Sequence, residues 1–241
     1  MRVPAVATVV LASGGGARLG RALASVAWGG ERIVLDPGGR VPRESLPRGV
    51  RLHGGTAEPA ELTTAPWVLL LADDEIASPD LAAAVGGVVT EGSARSAYRI
   101  PLDVQGFGAA LRPLRSPVRL ARRAEARLWT GRGLLVELGP SSGHPGQLAA
   151  PLIVRGADRL SDAVEQLDAQ ATTLAALLAV HRRRPRLRDL VLGSLAAGVQ
   201  ALVARPARLH VKVRWLVAVL SGYRTAVAYA KLWERSRAEG W

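Results

Sequence analysis

The stretch Trp67–Leu81, WVLLLADDEIASPDL, carries the strongest fold signal in the chain. Its first half, WVLLLADD, is a short and almost wholly apolar run, too short for a helix of ordinary length, and it reads as a strand buried on both faces. Three acids, Asp73, Asp74 and Glu75, then mark the point where the chain leaves the core. Ser78 and Pro79 come next as an N-cap and first-turn proline, Asp80 suits the positive end of a helix dipole, and LAAAVGGVV continues a helix up to its glycines.

The same alternation runs upstream. VATVVLA reads as a buried strand, SGGGARLGRALASV as a glycine loop and a helix, and RIVLD as a second strand that ends on Asp36. Between Asp36 and Trp67, GVRLHG makes a short strand and TAEPAELTTA a polar-capped helical stretch. Arg2 followed by VPAVATVVLASGGGA has the outline of a short secretory signal, but the strand, loop, helix and strand that succeed one another here describe a folded parallel unit instead. The pattern predicts a doubly wound α/β sheet.

In such sheets ligands bind beyond the carboxyl ends of the strands, which is where Ser13, Asp36, Asp73 and Asp74 would collect. Carboxylates beside a glycine loop suit a divalent cation bridging a diphosphate, because hard oxygen ligands hold Mg2+ or Mn2+ while the cation offsets phosphate charge. The bland alternative is that the acids only solvate a strand end.

Composition bounds the possibilities. A chain of 241 residues that is 49% hydrophobic can bury a substantial core, and with no cysteine it has neither a disulfide framework nor a thiolate metal site. The net charge of +12 is unevenly placed: from His181 onward there are 13 Lys and Arg against 3 Asp and Glu, and before it 19 against 17. A basic stretch interleaved with Leu, Val and Trp points to an anionic membrane surface rather than to nucleic acid. That stretch is mostly helical, with breaks expected near Pro185 and Pro206. Leu190–Ala204 is largely apolar but too short to span a bilayer, and the run VKVRWLVAVLSGYRTAVAYA is interrupted by Lys212, Arg214 and Arg224. His53, His144, His181 and His210 are too scattered to suggest a metal cluster.

Four pieces in order, SVAWGGERIVLDPGG, APWVLLLADDEIASPDL, AYRIP and YAKLWE, resemble family 2 glycosyltransferases, in particular the branch of lipopolysaccharide core glucosyltransferases. The resemblance implies a GT-A sheet of the nucleotide-diphospho-sugar transferase type with flanking helices and a C-terminal helical tail. It divides the chain into a nucleotide-sugar-binding domain over residues 1–180 and a basic amphipathic tail over 181–241. It further implies inverting transfer of a hexosyl group from a nucleotide-sugar donor to a glycan or lipid-linked acceptor in the cell envelope, on the cytoplasmic face of the plasma membrane. In that pattern Asp36 matches the acid that contacts the nucleoside, Asp74 matches the second acid of the metal motif Asp-x-Asp, and Ser13 and Asp73 lie in the donor site.

The departures are specific. Ala72 stands where the family has the first metal-motif acid, with Asp73 displaced by one place. Gly14, Gly15 and Gly16 replace the acidic loop after the first strand, Arg115 occupies the position of the catalytic base, and Val154 that of a family histidine. Asp103 is a carboxylate in the neighbourhood, yet nothing aligns it with the base, which stays unassigned. Two other readings therefore stand beside the transferase: a degenerate relative kept as a binding or scaffold protein, and a sugar-phosphate nucleotidyltransferase. The second is suggested by VVLASGGGARLG, although Lys212 and Lys231, the only lysines, are far from that loop.

Overall fold

A computed structural model describes residues 2–90, 95–106, 109–111, 116–130, 136–139, 143–180, 187–203 and 211–238. It comprises two compact units: Met1–Asp103, Arg115–Trp129 and Val136–Arg155 form the first, and Val104–Leu114, Thr130–Leu135 and Gly156–Trp241 the second. The fold is α/β, with a central and mostly parallel sheet and helices beside it.

The sheet of the first unit is built around β1 (Val3–Leu11), which pairs in parallel with β2 (Gly29–Asp36) on one side and β4 (Trp67–Ala72) on the other; β3 (Val50–Gly54) extends it beyond β2. The centre of β1 and nearly all of β4 are buried, as continuous Val and Leu runs require when both sheet faces are covered. Helix α1 (Ala17–Ser25) buries Leu19, Ala22 and Leu23, an i, i+3, i+4 stripe. The helical stretch expected before Trp67 is reduced to one turn, α2 (Pro59–Leu62).

The segment after β4 departs from the sequence reading. Glu75–Ala77 is a strand of its own, β5, and the helix α3 starts only at Leu81 and runs on to Thr90. Ser78 accepts the Leu81 N–H through its backbone carbonyl, and its hydroxyl is buried without a hydrogen-bond partner among the described residues, so the expected side-chain cap does not form. The helix also passes through Gly86 and Gly87. Two glycines cost helix propensity of about 1 kcal/mol each, which packing of Leu81 and Val85 in the core can outweigh.

The other strands among the described residues are β6 (Ala97–Arg99), β7 (Leu102–Gly106), β8 (Ala109–Leu111), β9 (Val118–Arg122), β10 (Leu128–Thr130), β11 (Val136–Leu138), β12 (Gly146–Gln147) and β13 (Leu152–Arg155). Strand β9 inserts antiparallel between β4 and β6, giving the order β12-β6-β9-β4-β1-β2-β3. In the first unit β13 pairs antiparallel with β5, and in the second residues 104–106 of β7 pair antiparallel with β8. The second unit also holds α4 (Leu160–Val180), α5 (Leu187–Val203) and α6 (Val211–Ala238), with α6 packed against both α4 and α5. Lys231, from the YAKLWE segment, donates to Asp168 Oδ1 at 2.6 Å and to Thr172 Oγ1 at 2.7 Å, which fixes α6 on α4. The breaks expected near Pro185 and Pro206 fall outside the described residues. No helix among the described residues is long and apolar enough to cross a membrane.

One glycine on β2 is forced by close packing. The register of β1 on β2 slips between Val3 and Ala7, and a Cβ on Gly30 would lie 2.3 Å from the Pro4 carbonyl oxygen. Backbone cannot yield as a side-chain tip can. Gly30→Ala is expected to destabilise the protein by about 1–3 kcal/mol in urea unfolding, whereas Gly14→Ala, whose Cβ meets nothing within 4 Å, should stay near wild type.

Candidate functional site

The parallel register brings the predicted residues to one edge. Leu11 of β1 is level with Leu35 of β2 and with Ala72 of β4, so Ser13, Asp36, Asp73 and Asp74 all leave the sheet at its carboxyl end. The Ala12 N–H donates to the Leu35 carbonyl and the Asp73 N–H to the Leu11 carbonyl, which carries the ladder just past the strands.

The acids have different surroundings. Asp73 is buried, and its Oδ2 accepts the Ser13 N–H at 2.8 Å and the Ser13 hydroxyl at 2.7 Å. Asp73 thereby shapes the glycine loop that begins after Ser13. Asp36 is 2% exposed; its Oδ2 accepts the Val41 N–H at 2.7 Å, and its Oδ1 is buried with no hydrogen-bond partner among the described residues. A buried carboxylate oxygen left open costs free energy until something donates to it. The carbonyl of Asp36 accepts from Gly39 and Gly55, both at positive φ, so the turns beside β2 hold the carboxylate in place.

Glu75 turns inward from β5. Its Oε2 accepts the Ala72 N–H at 2.9 Å, and its Oε1 accepts from Nη2 of Arg119 in a fully buried ion pair. The second guanidinium nitrogen of Arg119 donates to the Val136 carbonyl at 2.6 Å, and nearby Glu137 accepts the Val118 N–H at 3.1 Å. The sequence reading passed over Arg119. Its signal was an arginine between Val118 and Leu120 in an apolar strand, a position that demands an acidic partner.

Asp74 lies between these two tethered neighbours. Although the residue keeps part of its surface, burial pushes its carboxyl up from 3.8 to about 6, and the charges of Glu75 and then Asp73 add to the shift; its own backbone N–H and Arg119 oppose it. A carboxylate crowded by two others is a position where bound positive charge is favoured. No group of three or more His, Asp or Glu able to hold a metal occurs among the described residues. A cation here would have to draw ligands from water and phosphate oxygens, a mode natural to Mg2+ and related ions. Asp74 is the one protein ligand that this edge would offer such an ion among the described residues named here.

At the same edge, Gly16, with φ of +96°, is the N-cap of α1 and, having no side chain, makes no capping hydrogen bond. The first-turn amides are therefore not capped by a side chain, and Gly14 and Gly16 leave open space where a Cβ would stand. Of the other positions read from the sequence, Val154 is on β13 opposite Glu75, Asp103 is on β7, and Arg115 lies outside the described residues. The catalytic base stays unassigned.

No protein-family model matches the chain, and no curated protein matches it. Among solved structures, the chain is similar to S. aureus TarS 1-349, at 12% identity over 100% of this chain and 92% of that one, with a TM-score of 0.39. The same TarS segment in complex with UDP-GlcNAc gives 13% identity, 100% and 92% coverage and a TM-score of 0.36. The mannosyltransferase PcManGT from Pyrobaculum calidifontis, in complex with GDP-Man and Mn2+, is similar at 12% identity over 96% of this chain and 86% of that one, with a TM-score of 0.38. Overlaps of this size leave the chemistry to be argued from the site's own geometry.

Proposed function

We propose that the chain is a glycosyltransferase that takes a sugar from a nucleotide-sugar donor and passes it to a glycan or lipid-linked acceptor at an anionic membrane surface. The observation that carries this reading is the buried Oδ1 of Asp36, without a hydrogen-bond partner among the described residues, at the sheet edge that also holds Asp74. A nucleoside hydroxyl or N–H would complete that oxygen. The uncapped start of α1 and the open glycine loop, held by the Ser13–Asp73 contacts, would receive the diphosphate. Asp74 would anchor Mg2+ or Mn2+, which when bound supplies charge compensation for the departing nucleoside diphosphate.

In this reading residues 1–180 bind the donor and residues 181–241 serve the membrane, on the cytoplasmic face of the plasma membrane. The basic composition of the latter supports the acceptor's being membrane-bound. The corresponding chemistry is attack of an acceptor hydroxyl on the anomeric carbon with inversion, the bond from that carbon to the nucleoside diphosphate breaking as the glycosidic bond forms and the hydroxyl proton passing to a base that is unassigned; the site's task is to orient the donor and to offset the charge of the leaving phosphates.

A thermal-shift screen tests it directly. Nucleoside diphosphates and their sugars should raise the melting temperature in the presence of Mn2+, and Asp36→Ala should abolish the rise. Selective stabilisation by nucleoside triphosphates would move the assignment to a nucleotidyltransferase. No response to any nucleotide would leave a scaffold protein that has lost the donor.

A further inference from the structure

The helix pair α5–α6 is built inside out. On α5 the residues turned away from α6 are the large aliphatic ones: Leu192, Leu195, Val199 and Val203 are exposed by 63%, 61%, 58% and 73%. Much of the seam is made of small residues instead, with the Tyr229 ring of α6 lying over Gly193 of α5. A Cβ on Gly198 would lie 3.2 Å from the Ala218 carbonyl oxygen, one on Gly222 would lie 3.1 Å from the Ser194 carbonyl oxygen, and Ala197 is buried. Helices in water normally bury their large apolar side chains, whereas helices in lipid bring backbones together on small residues and turn aliphatic side chains outward. Helix α6 continues the pattern, since Val211, Trp215, Val219 and Tyr223, spaced by four, form an exposed apolar stripe.

We infer that the α5–α6 pair is a membrane insert that lies in the headgroup and upper acyl region of an anionic bilayer. At 17 residues α5 is about 25 Å long, short of the roughly 20 apolar residues that a crossing needs, so it lies along the interface. Charge selects the occupant. Five arginines between 182 and 188 precede the apolar run, and Arg205, Arg208, Lys212 and Arg214 come after it, against Asp189 alone. Positive charge on both sides of the apolar run in the sequence favours the phosphates of an anionic lipid surface. A second copy of the chain is the poorer fit, because joining two α5 faces would crowd these like charges together. Arg214 also donates to the Leu202 carbonyl at 2.9 Å, satisfying a backbone acceptor near the end of α5.

This inference does not rest on the donor reading, because vesicle binding can be measured whether or not a nucleotide binds. The full chain is floated with vesicles of phosphatidylcholine alone and of phosphatidylcholine mixed with phosphatidylglycerol, and its tryptophan emission is read with brominated acyl chains. The expected result is binding to the anionic vesicles that high salt weakens without abolishing, and acyl-chain quenching that Trp215→Phe largely removes. Leu195→Asp with Val199→Asp, both at exposed positions, should cut vesicle affinity at least about tenfold at unchanged circular dichroism, while Leu160→Asp on α4 should not. Equal binding to neutral vesicles, full release by salt, or quenching indifferent to Trp215→Phe would each overturn the inference. So would a stable dimer in solution that the Leu195 and Val199 substitutions dissociate, which would give the face to a second copy.

Discussion

Arg119→Met is expected to destabilise the protein by about 3–5 kcal/mol, the usual cost of stranding one charge of a buried pair. Arg119 and Glu75 have side chains only 3% and 4% exposed, so water cannot replace the lost guanidinium. The Val136 carbonyl loses its donor as well. Adding Glu75→Gln removes the stranded charge and should recover a large part of the loss, which separates electrostatics from simple loss of packing. Urea unfolding of the two single variants and the double variant reads the coupling. A loss below about 1 kcal/mol for Arg119→Met would mean that the pair is solvated and does not hold the turn between β4 and β5.

Asp74→Asn is expected to separate binding from stability. With its folded carboxyl near 6 against an ordinary 3.8, Asp74 binds its proton more tightly in the folded protein than in the unfolded chain. Folding stability from this group is therefore greatest below about pH 4 and is lost as pH rises to about 6. At pH 7.5 and without metal, the asparagine variant should be more stable than wild type by on the order of 1–3 kcal/mol, and at pH 4 the advantage should vanish. Mn2+ should reverse the order, since it competes with the proton for the carboxylate of the wild type. Mn2+-dependent nucleotide binding should fall in the variant by more than the roughly 10–100-fold typical of an outer-shell change. Restoring an acid with Ala72→Asp should tighten Mn2+ binding. If Asp74→Asn leaves both melting temperature and Mn2+ response unchanged, the acids are a solvated strand end.

The parts of this protein legible from sequence are those written in local pattern. The buried strands β1, β2 and β4 and the helix α1 follow from runs and periodicity, and parallel pairing then obliges Ser13, Asp36, Asp73 and Asp74 to leave the sheet on one edge. The uneven charge announced a basic, apolar C-terminal stretch. Strand β5 was not legible, because three residues carry no period and Glu75–Ala77 become a strand only by pairing with β13. The start of α3 differs from its sequence signal for a similar reason: pairing of β5 draws Ser78 into the core before it can cap.

The division of labour among the acids was also beyond sequence. Adjacent in the chain, Asp73, Asp74 and Glu75 are chemically near-equivalent, yet Ser13 holds the first, Arg119 holds the third, and the second is left with a raised affinity for a proton. Sequence by itself determined the strands at the core and which residues reach their edge, since periodicity and burial are properties of neighbours in the chain. Only the tertiary structure decided which partners hold Asp73 and Glu75, that Asp74 is crowded between them, and that α5 turns large aliphatic side chains outward, because those depend on partners that lie far away in sequence and on the fields that they create.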